Sequence, residues 1–502
     1  MAEKDIVAKA PSPPSRGSAD IKGITVSKDA DFSEWYSQLV QKAELADLRY
    51  NLKGFVCYMP WAVISIKKMY AKYETLLEKN GHLPLIMPSL IPESNFKMES
   101  EHVEGFVPQV FWVTEAGNEK FEERLALRPT SETALYKMYS LWIRSYNDLP
   151  FKRYQSCQVW RYEGKATRPF FRAREFHWIE AHNVFATEEE ARKQVLQDME
   201  MTYQMLEQEF SIPIIFFERP QWDKFPGAVS TYAADALMES GKVLQLPSTH
   251  LLGTNFSKPF NVKFTDKDGS EKLGFITCYG PAISRIYGAM IAILGDDKGL
   301  ILPWDLAPLQ VVIVPILFKD SREKVLEACE KVFHSLEDKY IVKFDDRNGL
   351  SAGEKFSEWE LKGVPVRIEI GPKDVDTGVA VVVNRHTKEK KAVNIEMLEP
   401  YIHNVAKDYT NNLKNKKLLD FNKLIQRCET EAEAKKAIEE KKIVCCGFCS
   451  VGMDAFPCAE KIEKELNASV RGKKVGNEDN KFSSCIVCGK KAKETVYIAR
   501  SY

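Results

Sequence analysis

The segment RYEGKATRPFFRAREF, residues 161–176, concentrates charged and aromatic side chains whose types suit polyphosphate chemistry. It opens with Arg161 and Glu163, closes with Phe176, and carries further arginines between these ends. Guanidinium groups bind phosphate and carboxylate oxygens through paired hydrogen bonds, and an aromatic ring stacks on a base. The segment therefore predicts a loop that holds a bent nucleoside triphosphate against a carboxylate. The alternative interpretation is a charged surface hairpin.

Two neighbouring stretches carry residues that could line a small-molecule site. Before the loop, ALRPTSET places Thr130 and Glu132 two residues apart, which offers an oxygen acceptor and a carboxylate to an ammonium group. After it, FHWIEAH alternates Trp178, Glu180 and His182, which a strand would present on one face. Taken alone, the first pattern equally suits a helix cap, and a single histidine is more often a satisfied core residue.

Two further features indicate binding sites. Arg285 opens an apolar helix in CYGPAISRIYGAMIAIL, and an arginine in such a run is costly to bury unless an anion pairs with it. Six of the eleven cysteines crowd the C-terminal segment, where Cys485 and Cys488 have the spacing of a zinc knuckle. The alternative for these cysteines is a set of reduced, unliganded thiols.

Helix and strand patterns indicate the elements that must position these residues. Helical patterns run through FSEWYSQLVQKAELAD and through TEEEARKQVLQDMEMTYQMLEQEF, where Thr187 and Glu190 could form a capping box. HLPLIMPSL indicates an edge strand, because its prolines cost no ladder hydrogen bond there. From about Pro308 onward, strands and a helix alternate, which predicts an α/β unit with a mostly parallel sheet.

Composition sets loose bounds on the class of protein. The 502-residue chain carries 71 Lys+Arg and 71 Asp+Glu, so its net charge is zero and any basic surface must be local. This length suggests roughly three domains. The apolar runs are too short to span a bilayer, and the N-terminus has no apolar signal core. We therefore expect a cytoplasmic protein with a disordered tail over residues 1–30.

In their order along the chain, these motifs resemble those of the class II aminoacyl-tRNA synthetases. Residues 161–176 resemble motif 2 and the segment around Arg285 resembles motif 3. The helix and strand that lead to Pro88 resemble motif 1, which forms the dimer interface in that class. The segment GEKFSEWELKGVPVRIEIGPKD at 353–374 resembles the anticodon-binding domain of class IIa enzymes, with a generic α/β domain as the alternative.

The resemblance covers nearly the whole chain after the tail and is most specific to prolyl-tRNA synthetases of the archaeal and eukaryotic cytosolic type. It implies an α+β fold in which an antiparallel class II sheet is flanked by helices. An α/β anticodon-binding domain and a small C-terminal α/β domain of zinc-binding type would follow. The implied divisions are a tail at 1–30, a catalytic domain at 31–306, an anticodon-binding domain at 307–407 and a C-terminal domain with the cysteine cluster at 408–502.

The resemblance also implies roles for individual residues. Proline contacts are expected from Thr130, Glu132, Arg161, Trp178, Glu180, His182, Phe225 and His250. ATP contacts are expected from Arg161, Glu163, Arg172, Ala173, Phe176, Gln245, Ser248, Ile283 and Arg285. Arg161 and Arg285 are the expected catalytic residues, because they would stabilise charge on the phosphates. Leu246-Pro247 departs from the small residues usual in the family and puts any backbone contact there in doubt.

Cofactors and partners follow from the same resemblance. ATP is expected as a substrate with Mg²⁺ on its phosphates, and tRNA(Pro), L-proline and a second copy of the chain are the expected partners. Zinc is expected at Cys446, Cys458, Cys485 and Cys488, with Cys449 as a substitute for Cys446 or Cys458. The spacing from motif 2 to motif 3 leaves no room for a large editing insertion, so alanine misactivated by the enzyme would be cleared by a separate protein.

Two other functions compete with this interpretation. The first is another class IIa synthetase such as the threonyl enzyme, which holds zinc in its amino-acid pocket through a Cys/His/His set that this sequence lacks at a suitable place. The second is a synthetase-like binding or regulatory protein that has lost catalysis. Against the second stand Arg161, Arg172 and Arg285, all of them present.

Overall fold

The structure is a computed structural model that describes residues 23–96, 109–164, 166–476 and 482–502. Its helices are α1 (Phe32–Lys42), α2 (Pro60–Lys79), α3 (Glu93–Phe96), α4 (Glu132–Trp142), α5 (Glu188–Tyr203), α6 (Ser257–Phe260), α7 (Ile283–Leu294), α8 (Arg322–Leu336), α9 (Ala352–Leu361), α10 (Pro372–Thr377), α11 (Leu398–Asn422), α12 (Glu431–Glu439) and α13 (Phe456–Leu466).

The strands of the N-terminal half, up to residue 300, are β1 (Ala46–Asp47), β2 (Cys57–Tyr58), β3 (Leu83–Pro84), β4 (Leu90–Pro92), β5 (Phe111–Ala116), β6 (Glu119–Leu127), β7 (Phe151–Trp160), β8 (Glu175–Phe185), β9 (Ile215–Glu218), β10 (Ser230–Leu237), β11 (Lys242–Gly253), β12 (Lys263–Thr265), β13 (Glu271–Leu273) and β14 (Phe275–Gly280). Those that follow are β15 (Val311–Pro315), β16 (Val342–Phe344), β17 (Val366–Ile370), β18 (Val379–Asn384), β19 (Lys390–Asn394), β20 (Ile425–Arg427), β21 (Ile443–Phe448), β22 (Ser469–Lys474) and β23 (Glu494–Ser501).

An eleven-stranded sheet forms the centre of the molecule, in the order β20-β21-β23-β22-β9-β10-β11-β14-β8-β7-β3. Every neighbouring pair from β21 to β7 is antiparallel. Helices α1, α2, α5 and α7 contribute apolar side chains to a continuous core against this sheet, including Trp35, Met69, Val195 and Tyr287. The expected antiparallel sheet flanked by helices is confirmed. These helices cover one face of the sheet, and the opposite face packs against α4 and α6 and also carries a site.

Helix α5 shows how local sequence fixes an element. Its predicted capping box is present: the Glu190 amide donates to the Thr187 hydroxyl at 3.2 Å, and the Thr187 amide donates to the Glu190 carboxylate at 3.1 Å. These bonds satisfy amides that the first helical turn leaves unpaired. The α-helix ends at Tyr203 and continues as a π-helical stretch through Gln204–Glu209.

The second sheet has the order β16-β15-β17-β18-β19. Strands β16, β15 and β17 are parallel, whereas β17, β18 and β19 are joined antiparallel. The predicted mostly parallel sheet is therefore correct for only three strands. A parallel crossover needs about a dozen residues or more, and the short connections after β17 and β18 cannot supply them.

Helix α11 ties the three parts of the chain together. Ile402 and Tyr409 pack in the core of the second sheet, Leu413 joins the core of the large sheet, and Phe421 packs against the C-terminal strands. The expected boundary between 407 and 408 therefore lies inside one helix. Nor is the C-terminal sheet separate, since β22 pairs with β9 and covers an edge that would otherwise be open.

Two other expectations need correction. Residues 1–22 of the expected tail lie outside the described residues, but within 23–30 Lys28 is buried with its Nζ 2.7 Å from the Glu239 carboxylate, and Ile24 and Val26 pack partly buried against the core. HLPLIMPSL is not one strand, because only Leu83–Pro84 and the last residue, Leu90, lie in strands. Pro88, which lies between the two strands, has no N–H to donate to a ladder.

Candidate active site

A cavity of about 200 Å³ opens on the opposite face of the large sheet, beside the start of α4. Its volume is below the roughly 300–1,000 Å³ of sites for drug-sized ligands, so its occupant is small. The structure brings all eight predicted proline-contacting residues to its wall, together with Gln245 and Ser248 from the predicted ATP set. It also adds residues that the sequence did not single out: Arg219, Asp223, Lys224, Thr231, Cys278, Tyr279 and Gly280.

Two buried carboxylates give the cavity its negative end. Glu132 is the first residue of α4 and accepts a hydrogen bond from the Thr130 hydroxyl. Glu180 on β8 accepts hydrogen bonds from Gln155 at 2.8 Å and from the Ser131 amide at 3.2 Å. Burial would raise the pKa of Glu180, but the hydrogen bond and charge of His182 together with the Ser131 hydroxyl lower it to about 2. Glu180 is therefore a carboxylate at neutral pH, and the cavity attracts a cation.

His250 on β11 forms a neutral wall of the cavity. Its ring nitrogens lie 2.9 Å from the Thr231 hydroxyl and 3.1 Å from the Ser248 hydroxyl, and the ring centroid lies 4.6 Å from that of Phe225. Burial lowers the pKa of His250 to about 3, with the neighbouring His182 and Arg219 adding to the effect. The imidazole is therefore uncharged and can offer one donor and one acceptor.

Arg161 lines the cavity at the end of β7, where its charge interacts with that of Glu132. Its Nε donates to the Pro129 carbonyl at 2.9 Å, and its guanidinium carbon lies 4.8 Å from the Trp178 ring and 5.4 Å from the Phe176 ring. The two rings stack on each other at 5.4 Å. A Cβ on Gly280 would lie 2.7 Å from the Trp178 ring, so the tight packing needs glycine there. This packing fixes the guanidinium before any ligand arrives.

The other two arginines of the predicted phosphate site, Arg172 and Arg285, lie outside the cavity and near Arg161. Arg172 Nε is 3.8 Å from the Glu163 carboxylate, and its Nη2 donates to the Tyr502 carbonyl at 3.0 Å. Arg285, in the first turn of α7, donates from Nε to the Phe171 carbonyl at 3.1 Å. Burial together with the charges of Arg161 and Arg172 lowers the pKa of Arg285 to about 10. Three guanidinium groups that repel one another in this way make a site for a polyanion.

The Leu246-Pro247 departure forms a β-bulge. Opposite β11, Ala233 pairs with Ser248 and Asp235 pairs with Gln245, so a single residue of β10 faces Leu246 and Pro247 together. The extra residue turns Gln245 and Ser248, three positions apart, toward the same cavity, which a regular strand cannot do. Proline suits a bulge, where no ladder hydrogen bond is lost.

Ala173 and Ile283, both expected to contact ATP, have buried side chains. Ile283 packs in the apolar core at the start of α7, so only its backbone can face a ligand. The contribution of this position is then its helix N-terminal amide, which suits an anion.

A buried ion-pair network behind Gln245 was not visible in the sequence. Arg219 donates to Asp235 at 2.7 Å and to the Gln245 side-chain oxygen at 3.2 Å. Arg471, from β22 of the C-terminal section, donates to the same Asp235 carboxylate at 2.7 Å. Charged residues inside the apolar runs IIFFERP and YAADALM are the sequence signal that could have indicated Arg219 and Asp235.

The C-terminal cysteines form a second candidate site. The sulfurs of Cys449, Cys458, Cys485 and Cys488 all lie within 4.8 Å of one another. The expected Cys446 is outside this group, because it sits on β21 with its side chain fully buried in an apolar cluster. Cys449 follows the last residue of the strand and lies outside the sheet. Cys449, the alternative ligand named from the sequence, therefore stands in the group in place of Cys446.

Fold and family comparison together establish the class of protein. Residues 111–294 match the family model for the tRNA synthetase class II core domain (G, H, P, S and T), and residues 310–404 match the model for an anticodon binding domain. The protein is a class II aminoacyl-tRNA synthetase. Residues 432–502 match a third model, the C-terminal domain of prolyl-tRNA synthetase.

Relatives narrow the family. The proline–tRNA ligase of Thermofilum pendens is 49% identical over 96% of this chain and 99% of its own length, and that of Methanopyrus kandleri is 41% identical over 97% and 99%. The prolyl-tRNA synthetase of Giardia lamblia, solved with prolyl-adenylate, has a TM-score of 0.91 at 34% identity and covers 95% of this chain and 100% of its own. The chain belongs to the prolyl-tRNA synthetase family, and the resemblance seen in the sequence is confirmed.

A further solved relative, the Cryptosporidium parvum enzyme with L-proline and AMP, has a TM-score of 0.87 at 32% identity and covers 96% of this chain and 98% of its own. In the part of the chain that the structure describes, no helix combines the length and the apolar character needed to cross a membrane.

Proposed function

We propose that this protein is an ATP-dependent proline–tRNA ligase that attaches L-proline to tRNA(Pro) through a prolyl-adenylate intermediate. The observation that carries the proposal is the mixed polarity of the small cavity, whose wall carries both the Glu132 and Glu180 carboxylates and the Arg161 guanidinium. An amino-acid zwitterion matches this polarity. The relatives described above are proline–tRNA ligases, and they supply the particular amino acid.

In the first step, the proline carboxylate attacks the α-phosphorus of ATP and pyrophosphate leaves. The secondary ammonium binds at Thr130 and Glu132, and the carboxylate binds at Arg161. No side chain acts as a nucleophile, so catalysis consists of positioning and electrostatic stabilisation. Arg161 is already fixed by Pro129 and two rings, and it therefore stabilises the charge that builds on the α-phosphate without reorganising.

The nucleotide lies along the remaining arginines. Adenine stacks between Phe176 and Arg285 and is contacted by Glu163, and the γ-phosphate is held by Arg172 and Arg285. Mg²⁺ neutralises phosphate charge when it is bound. Gln245 would offer a bound Mg²⁺ only a neutral amide oxygen, which is a weak ligand. Phosphate oxygens and water would therefore supply most of the coordination of the ion. The tRNA 3′-terminal ribose hydroxyl then takes the prolyl group from the adenylate.

We also propose a structural zinc ion at Cys449, Cys458, Cys485 and Cys488. Thiolates at about 2.3 Å around a tetrahedral ion lie about 3.8 Å apart, and the Cys449 and Cys458 sulfurs are 3.8 Å apart. We expect Cys449→Ala to lower the zinc content of the purified protein, measured by elemental analysis, from about one ion per chain to near zero. Cys446→Ala is the matched control and should keep its zinc; the reverse result would restore the assignment made from the sequence.

A homodimer in the cytoplasm completes the proposal. The motif 1 segment exposes Leu83, Ile86 and Leu90 by 55%, 93% and 39%, and such a run of exposed apolar side chains marks an interaction surface. The anticodon domain at 310–404 supplies the surface for tRNA(Pro). Light scattering should give a dimer for the wild-type protein and a monomer for Ile86→Glu, and an unchanged mass would reject this surface.

Amino-acid-dependent ATP–pyrophosphate exchange tests the activity. We expect the wild-type protein to exchange with L-proline, and with alanine only at much higher concentration, because a missing methylene costs an apolar pocket about 1–3 kcal/mol. Exchange with threonine but not proline would show another class IIa enzyme. Absence of exchange with every amino acid, in protein that still binds tRNA(Pro), would indicate a regulatory relative.

A further inference from the structure

Three side chains of metal-ligating type converge in the amino-acid cavity. The Glu132 carboxylate, a His182 ring nitrogen and the Cys278 sulfur all lie within 4.8 Å of one another. The three residues are 3%, 2% and 5% exposed, so this is a built, buried cluster rather than a surface coincidence. Cys278 on β14 and His182 on β8 are cross-strand partners, and Glu132 faces them from the start of α4.

The proposed reaction gives Cys278 no role. Its thiol lies in the polar cavity, and burial together with the charges of Glu132 and Glu180 raises the pKa of the thiol well above its usual value. A neutral thiol beside carboxylates contributes little to binding a zwitterion. It becomes a strong ligand only when a cation displaces its proton.

The surroundings of His182 match those of a metal ligand. Nδ1 lies 2.9 Å from the Tyr136 hydroxyl, and Nε2 lies 3.2 Å from the Glu180 carboxylate. Metal-ligating histidines usually donate their second ring N–H to an oxygen that fixes the ring. Tyr136 can serve as that oxygen, and Glu180 adds a second carboxylate next to the cluster.

Distances allow an ion to be held with small movements. Ligand atoms bound to zinc at about 2.0–2.3 Å lie roughly 3.3–3.8 Å apart, so the three groups need to close by about 1.5 Å at most. Thiolate, carboxylate and neutral imidazole carry a total charge that a divalent cation neutralises. The same carboxylates that attract the ammonium of the substrate therefore attract the metal.

We propose that the amino-acid cavity binds a thiophilic divalent cation, Zn²⁺ or Cd²⁺, through Glu132, His182 and Cys278, and that the ion and the amino acid exclude each other. On binding, metal–sulfur and metal–nitrogen bonds form, the thiol proton and the proton that His182 Nε2 directs at Glu180 pass to solvent, and no oxidation state changes. The exclusion of proline rests on the proposed function, whereas the binding of the metal does not. The enzyme is thus inhibited by these ions competitively with proline.

Cadmium titration of the zinc-loaded, full-length protein tests the metal site. Thiolate-to-cadmium charge-transfer absorption counts ions bound through sulfur, and elemental analysis separates the zinc retained from the cadmium added. We expect wild type to take up one cadmium beyond its zinc, and Cys278→Ser to lose that uptake with its melting temperature little changed. Cys329→Ala, which removes a buried cysteine of the second sheet, is the matched control and should keep the uptake.

A second variant protects the test against misfolding. If Cys278→Ser does not fold, Glu132→Gln should weaken cadmium binding at least tenfold while the charge-transfer band per bound ion stays the same. Uptake of the extra cadmium by Cys278→Ser, or no extra uptake by wild type, would overturn the metal site.

Competition separates the two proposals. L-proline should release the extra cadmium from wild type, and cadmium should raise the KM for proline with kcat unchanged in ATP–pyrophosphate exchange. If proline supports exchange but does not displace the ion, the shared site is refuted and the proposed function stands. If the ion binds and proline supports no exchange, the proposed function fails and the metal site stands.

Discussion

At the scale of single residues, the site works through groups that are fixed before the substrate arrives. Glu180 is held by hydrogen bonds from Gln155, Ser131 and His182, while Glu132 receives one from Thr130. Glu180 thereby orients its neighbours. Glu132 lies at the helix start on the cavity wall, where the proposed reaction places the substrate ammonium.

The first prediction concerns Glu132. We expect Glu132→Gln to raise the KM for proline about 100-fold, because removing one partner of a buried charge pair costs about 2–5 kcal/mol. The KM for ATP should change little, since the nucleotide lies at the arginine end. Initial rates of exchange at varied proline and varied ATP measure the two constants separately. An equal rise in both would show a general loss of structure instead.

A second prediction at this scale concerns Asp198, buried under the sheet. Burial raises its pKa to about 7, although Thr249 and Gln194 donate hydrogen bonds to it. Because the folded-state pKa lies above the unfolded value, the protonated acid favours folding fully below about pH 4, and this stability is lost as the pH rises through about 7. The loss amounts to no more than about 4 kcal/mol, at about 1.4 kcal/mol per pKa unit.

Asp198→Asn cannot ionise and should escape this loss. We expect its melting temperature, relative to wild type, to rise from pH 5 to about pH 7 and to level off by pH 8 in parallel calorimetric scans. Other titrating groups are common to the two proteins and cancel in the difference. A difference that is independent of pH would show that Asp198 ionises alike in the folded and unfolded chains.

At the scale of elements, strand β22 connects the C-terminal section to the nucleotide end of the site. Arg471 on β22 and Arg219 after β9 share the Asp235 carboxylate, and Arg219 also holds the Gln245 side chain. All three charged residues are buried. Without Arg471, the buried Asp235 carboxylate would keep only half of its partners and would no longer be held in place. Because Asp235 positions Arg219, the position of Arg219 depends on β22, a strand from another part of the chain.

We expect Arg471→Met to lower kcat/KM for ATP about tenfold or more, because Arg219 and Gln245 lose their fixed positions, while the KM for proline changes less. Arg471→Lys keeps the charge and should recover part of the loss, which a purely structural role would not predict. Exchange kinetics at varied ATP measure both variants. Equal effects on ATP and proline, with no recovery by lysine, would contradict a positioning role.

Much of this arrangement was predictable from the sequence, and the exceptions have physical causes. Periodicity and motif order indicated the strand that carries Glu180 and His182, and the helix that begins near Arg285. Pairing between distant segments was not predictable, because nothing local to Arg471 reports that β22 joins β9. The sequence shows Leu246-Pro247 only as a departure from the small residues usual in the family. That it forms a bulge depends on the facing strand β10, which the local sequence does not report.

At the scale of the whole molecule, three family domains form one body through shared elements. Helix α11 packs on all three parts, and the last strand β23 pairs both with β21 and β22 and with β11. Tyr502 then reaches the motif 2 arginine Arg172. The domain divisions drawn from the sequence therefore do not coincide with separately packed units of the folded chain.

The central claim is that Arg161 stabilises the α-phosphate while proline occupies the adjacent cavity. We predict that Arg161→Ala lowers kcat for proline-dependent ATP–pyrophosphate exchange by about 1,000-fold, since one such donor is worth about 10²–10³ in rate. Affinity for tRNA(Pro) should be unchanged, and Arg49→Ala, at an exposed surface arginine, should exchange like wild type. Wild-type exchange by Arg161→Ala would contradict the account.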